Sequence, residues 1–162
     1  MFKKVWFFSL LLILMSTFTI AQNTEIKRYI AVTFDDLPMN TKYLEDGDQW
    51  IEQTQKLLRT INKFNIPAVG FVNEYKLYVN EVLDFTRLKA LQLWIDADLE
   101  LGNHTFSHPD YHNTENEEFF ADIIKGEKIT KDLLSQKNKK LEFFRHPYLH
   151  TGNSLEKKKA LE

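Results

Sequence analysis

Tyr29-Ile30-Ala31-Val32-Thr33-Phe34-Asp35-Asp36-Leu37-Pro38 is the stretch on which the fold turns. β-Branched and aromatic residues dominate Tyr29 to Phe34, which reads as a buried strand. Side chains alternate across a strand. Ile30, Val32 and Phe34 therefore share a bulky face, while Ala31, Thr33 and Asp35 share a smaller one. Bulky residues turned outward to helices and small ones turned inward suit a stave of a (β/α) barrel. Asp35 then emerges at the inner, C-terminal end. Asp36 follows where the chain leaves the strand, and Pro38 marks that exit. The two acids also admit a plainer reading, as a helix cap or a surface turn.

Downstream the pattern repeats. Trp50 to Phe64 carries apolar residues at helical spacing, with Asp48 as N-cap. Ala68 to Val72 is a second strand, ending at Asn73-Glu74. Thr86 to Asp98 is a helix with Leu88, Leu91 and Ile95 on one face, and Leu99-Glu100-Leu101 is a short third strand. Thr114 and Glu117 have capping-box spacing and open a helix that runs through Phe119, Ile123 and Leu133, interrupted at Gly126. Leu141 to Phe144 is a fourth strand, and Ser154 caps a last helix. Four strand–helix alternations imply an α/β fold, a parallel sheet with helices outside it.

In such folds function collects at the C-terminal ends of strands. Those ends carry Asp35-Asp36, Asn73, His104 to His108 and Arg145 to Tyr148. The third is Gly102-Asn103-His104-Thr105-Phe106-Ser107-His108-Pro109. It sets two imidazoles four residues apart, and Pro109 disfavours helical geometry at His108, so a turn lies between them. They are either two ordinary loop histidines or a pair of metal ligands. Two His and one Asp make a three-ligand site with an open position, the arrangement of catalytic zinc. A metal so held acidifies bound water and polarises a carbonyl. A spare carboxylate nearby can serve as general base, and Arg145 would hold it ionised and oriented. Arg145 is equally compatible with a structural ion pair. His112, His146 and His150 read as solvent-facing or supporting residues rather than ligands.

Composition narrows the field. The chain has 162 residues, 43% of them apolar and 27% charged, which suits one core and one domain. A net charge of -2 gives no basic field for nucleic acid, and the short lysine runs at Lys137 to Lys140 and Lys157 to Lys159 read as solvated faces. The absence of cysteine excludes disulfides, zinc–thiolate sites and thiol nucleophiles. No phosphate loop, dinucleotide glycine pattern or zinc-protease helix is present. Lys3 and Lys4, the apolar run Val5 to Met15 and the small-residue ending Thr19-Ile20-Ala21 read as a signal peptide, residues 1–21, cleaved after Ala21. The run is shorter than the roughly 20 residues of a membrane span. The expectation is export, periplasmic or extracellular, with membrane contact only during export and a single domain over 22–162.

The three motifs resemble those of the polysaccharide deacetylases with the NodB homology domain, carbohydrate esterase family 4. Their first motif, T-F-D-D-G-P, stands here as Thr33 to Pro38, with Leu37 in place of Gly. Their second, H-[ST]-x-x-H, is His104 to His108, and their third, R-x-P-Y, is Arg145 to Tyr148. The likeness covers about residues 28 to 162. It implies a distorted (β/α) barrel in which Asp36, His104 and His108 bind one divalent metal, zinc or similar. Asp35 is then the general base, Arg145 orients it, and the backbone around Tyr148 helps hold the oxyanion. Thr105 and Ser107 would stabilise the loop.

The implied reaction removes N-acetyl groups from an amino-sugar polysaccharide, peptidoglycan or chitin-like, by attack of water on the acetamide carbonyl. O-Acetyl ester hydrolysis, or metal and glycan binding without turnover, are the alternatives. Nothing after Tyr148 supplies the family's fourth and fifth motifs, with the Asp-supported His that acts as general acid. His150 is too close to the third motif to be that residue, although it could lie near the pocket. Four strands do not close a barrel of about 250 residues. The expectation is therefore the N-terminal part of the domain, truncated after about four βα units and weak or inactive by itself. Oligomeric state is left open.

Overall fold

The structure, a computed structural model, describes residues 27–39 and 47–161. The predicted signal peptide lies outside the described residues. The chain divides into two units, residues 1–30 and 31–162. Of the first, residues 27–30 are described; they are exposed and form no regular element.

The second unit is α/β, as expected. Strands β1 (Val32–Leu37), β2 (Ala68–Val72) and β5 (Glu100–Asn103) form a parallel sheet in the order β1-β2-β5. Helix α1 (Gly47–Lys63) lies between β1 and β2 in sequence, and α2 (Phe85–Asp96) between β2 and β5. Helices α3 (Asn116–Lys125), α4 (Lys128–Ser135) and α5 (Leu155–Lys159) follow. A 3₁₀ turn at Glu74–Leu77 leads into a two-stranded antiparallel hairpin, β3 (Tyr78–Val79) with β4 (Val82–Leu83), which the sequence pattern does not announce. Among the described residues no helix is long and apolar enough to cross a membrane.

The bulky face of β1 meets a helix, as the alternation requires. Phe34 packs edge-on against Trp94 of α2 with ring centroids 5.5 Å apart. Leu37, Val72, Leu91, Trp94, Ile95, Leu101 and Leu134 close the core around the sheet. Full burial of each such side chain contributes about 1.5–3 kcal/mol. Asp84 caps α2, its carboxylate accepting from Thr86 N and Arg87 N.

Four local expectations are corrected. β1 starts at Val32 and runs through both acids to Leu37, so Asp36 lies inside the strand. Asp48 sits inside the first turn of α1 and not at its cap. The Thr114 capping box does not form; α3 begins one residue later, and the Thr114 hydroxyl donates to Asp110 O instead. The fourth strand shrinks to one parallel bridge, Asn103 to Phe144. It can pair on one side only, and its partner β5 is four residues long and turns away at His104.

Candidate active site

Neighbouring residues in a regular strand point to opposite faces, so Asp35 and Asp36 should not serve one site. A bulge resolves this. Phe34 pairs with Gly70 and Leu37 with Val72, which leaves one extra residue on β1. Asp36 takes a left-handed backbone, φ 66°. The extra residue re-aims the pair, and His104 feels the charge of both carboxylates.

The two histidines are held by a loop built with unusual rigidity. Thr105 and His108 both have left-handed φ, 67° and 62°. Such residues cost about 1–3 kcal/mol each and persist only where their surroundings fix them. The fixing contacts are plain. Asn103 Oδ1 accepts from Thr105 N at 2.6 Å, and His108 N donates to the Thr105 hydroxyl at 3.1 Å. Asn73 Nδ2 donates to Phe106 O at 2.8 Å. From α3, the Asp122 carboxylate accepts from Phe106 N, Ser107 N and Ser107 Oγ at 2.7–2.9 Å. Gly126 supplies the close approach. A Cβ there would fall 2.4 Å from Phe106 N and Thr105 C. The glycine that interrupts the helical pattern is thus the point where α3 touches the histidine loop.

Arg145 acts through two groups. Its guanidinium reaches both Asp35 oxygens, Nη1 to Oδ1 at 3.1 Å and to Oδ2 at 3.3 Å, and lies over the Phe71 ring at 4.5 Å. Its carbonyl accepts from His104 Nδ1 at 2.8 Å. That bond fixes the tautomer and leaves Nε2 of the buried His104 with its lone pair in the ring plane. Burial pushes the His104 imidazole below its ordinary pKa, against the upward pull of the Arg145 carbonyl and both acids. It is held neutral, the form a metal needs.

The donor atoms of Asp36, His104 and His108 lie within 4.8 Å of one another. His108 Nε2 is 3.8 Å from Asp36 Oδ1. Tetrahedral zinc holds its ligand atoms roughly 3.3–3.5 Å apart, given bond lengths of about 2.0–2.2 Å. The two rings meet at 78°, so their in-plane lone pairs can converge. This donor set fits a divalent cation. Lys76 stands in the same space, its ammonium 3.0 Å from Asp36 Oδ1. Burial raises the Asp36 carboxyl, but Lys76, His108 and His104 together bring it below the usual carboxylate value.

The profile of polysaccharide deacetylases matches residues 22–161. The chain belongs to the polysaccharide deacetylase family.

Solved structures of this family share the fold. The Bc1960 peptidoglycan N-acetylglucosamine deacetylase is 24% identical with a TM-score of 0.58, over 80% of this chain and 50% of that one. The peptidoglycan deacetylase PdaC from Bacillus subtilis is 22% identical with a TM-score of 0.54, over 83% and 55%. The family 4 carbohydrate esterase pseudoenzyme BA3943 from Bacillus anthracis is 18% identical with a TM-score of 0.59, over 83% and 40%. The chain thus spans about half the length of these solved relatives. No curated protein sequence matches it significantly.

The remaining residues of the deacetylase motifs fall nearby. Tyr148 has a left-handed φ of 56°, and its exposed ring packs on His108 with centroids 4.7 Å apart. His146 is wedged among Tyr111, Phe119 and Phe144. His112 and His150 join Asp110 in a second Asp–His–His group. There the Asp110 carboxylate accepts from His150 Nδ1 at 2.7 Å, from His112 N at 2.9 Å and from Asn113 Nδ2 at 2.7 Å. The His150 bond ties the loop after His108 to the loop after Tyr148, and the other two brace Asp110 within its own loop. Lys76, Asp122 and this latch escape a sequence reading, because each acts on residues far away in the chain.

Proposed function

We propose that the chain carries the metal-binding and general-base part of an exported polysaccharide N-deacetylase. One observation carries the reading: Arg145 holds Asp35 by its side chain and His104 by its main chain, beside a donor set that fits a divalent cation. Asp36, His104 and His108 would hold that cation, most simply zinc. When bound it supplies Lewis-acid polarisation of the acetyl carbonyl and acidifies water. Asp35 takes the proton of the attacking water, and Arg145 holds its carboxylate paired and aimed. The backbone at Tyr148 faces the developing oxyanion. The substrate is an acetylated amino-sugar polymer such as peptidoglycan or a chitin-like chain. Residues 1–21 act as the export leader, cut after Ala21, and residues 22–162 as the catalytic domain.

The test is acetate release from N-acetylglucosamine oligomers with added zinc, with chelator, and in Asp35→Asn. The expected result is release that needs metal and is lost in Asp35→Asn. Release that chelator leaves intact, or no release together with no zinc bound at Asp36, His104 and His108, overturns the proposal. A second reading, metal and glycan binding without turnover, is favoured by the fold shared with a pseudoenzyme. Zinc bound at one equivalent, lost in His104→Ala and never accompanied by acetate, would select it. An ester's alkoxide departs without the proton an amine needs, so faster release from acetylated xylan than from the amide would mark an O-acetyl esterase.

A further inference from the structure

Asn73 follows β2 directly and is buried, 2% exposed. It opens the 3₁₀ turn at Glu74–Leu77, a position where asparagine commonly caps with its side chain. Here that side chain makes no capping bond. Its amide is directed across the molecule instead.

The three metal-ligand candidates come from two separate pieces of chain, Asp36 on β1 and the two histidines on the loop after β5. Asn73 bonds to both pieces through different atoms. Its N–H donates to Leu37 O at 3.0 Å. Leu37 follows Asp36 and is the first residue to pair with β2 beyond the bulge, so this bond fixes where β1 resumes. Nδ2 donates to Phe106 O at 2.8 Å and to Thr105 O at 3.3 Å. Those are the carbonyls of two consecutive peptide units between His104 and His108. Thr105 carries the left-handed φ of 67°, so a grip on its carbonyl decides how the loop turns. Beside it, His104 N donates to Val72 O at 2.9 Å, anchoring the start of the loop to the end of β2. A carboxamide nitrogen has two hydrogens, one for each carbonyl; a hydroxyl has one and a carboxylate none.

We infer that Asn73 is a positioning residue of the metal site. Through Leu37 it sets Asp36, through Thr105 and Phe106 it sets His104 and His108, and so it holds the three donor atoms at the spacing an ion needs. The inference rests on the cation site proposed above.

The probe is the metal alone, titrated into the full chain and into Asn73→Ala and Asn73→Asp. Zinc affinity is read by calorimetry, and site geometry by the visible absorption of bound cobalt(II), which is strongest in a tetrahedral site. Both variants should bind zinc about tenfold more weakly, the lower end of what loss of a supporting partner costs, and the cobalt absorption should fall. Asn73→Asp is the sharper of the two. Its added negative charge alone would tighten a cation, so weaker binding there reports lost position. Leu58→Ala, a core change on α1, should lower Tm and leave both metal readouts at wild-type values. Wild-type affinity and cobalt absorption in either folded Asn73 variant overturn the inference and leave the cation site standing. So does an equal loss of zinc affinity in Leu58→Ala, which would make metal binding follow stability alone. Should neither Asn73 variant fold, with zinc or without, the residue serves the fold and the inference falls. A wild-type chain that binds no zinc fells the cation site itself, and the inference with it.

Discussion

Among the described residues two Asp–His–His groups have their donor atoms within the same 4.8 Å, yet they are built differently. In Asp36, His104 and His108 the rings stand at 78°, and one of them is buried with Nδ1 tied to a main-chain carbonyl. In Asp110, His112 and His150 the rings stack at 3.7 Å with planes only 6° apart. Lone pairs in parallel planes do not converge, so an ion in the plane of one ring lies well out of the plane of the other. The Asp110 carboxylate is already taken up by three donors. Proximity of ligand atoms is common to both groups; convergence belongs to the first. The first is arranged to share an ion, the second to join two loops.

The largest expected effect separates them directly. Zinc titration should give one equivalent, and His104→Ala should weaken it by more than the roughly 10–100-fold that loss of a supporting partner costs. His150→Ala should leave zinc affinity unchanged. Two equivalents in the wild type, falling to one in His150→Ala, would break the comparison.

Next in size are the supports of the histidine loop. Gly126→Ala sets a methyl against the Thr105–Phe106 backbone and should cost about 1–3 kcal/mol of stability. Asp122→Ala removes the bonds to the Ser107 amide and hydroxyl, while Phe106 N keeps the Asp122 carbonyl, at about 0.5–1.5 kcal/mol for each bond lost. Both should weaken zinc binding as well as lower Tm. A normal zinc affinity in a destabilised variant would show that the loop's rigidity is separate from its ligation.

A smaller effect concerns Lys76, whose ammonium competes for Asp36. Lys76→Met should raise the Asp36 pKa and tighten zinc binding several-fold at neutral pH, read by calorimetry. Weaker binding would make Lys76 a support of the carboxylate rather than a rival of the ion.

The smallest is a pH dependence of the metal-free chain. Burial holds the folded His104 imidazole below its ordinary value of 6.5. The unfolded chain therefore binds the proton more readily between the two values. This stability is complete above about pH 6.5 and lost as pH falls through the folded value. Urea midpoints should drop on acidification. The drop should shrink in His104→Gln and persist in His150→Gln.

Much of this site is legible in the sequence, because each motif is local. A strand-like run before Asp35, imidazoles four apart around a turn, and Arg145 with Pro147 all declare themselves within a few residues. Register is not local. Nothing in Thr33 to Pro38 reveals that β1 gains a residue against β2, and without that bulge Asp35 and Asp36 would face opposite ways. Asp122 and Gly126 look like ordinary helix surface and a helix break until α3 is laid against Phe106. The fourth strand falls short of its sequence pattern for a related reason. Leu141 to Phe144 has strand composition, but its extent is set by a partner that ends at Asn103.

One residue has a bearing on how such a site varies and is engineered. Arg145 accepts from His104 through its carbonyl and reaches Asp35 through its guanidinium, while its N–H donates to Asn103 O. Errors in placing this residue are correlated: a displacement shifts His104 and Asp35 together and preserves their spacing. The relative geometry that chemistry needs is buffered against drift in the surrounding barrel wall. Tolerance should be wide for changes that move the segment as a block and narrow for any that twist Arg145 about its own backbone.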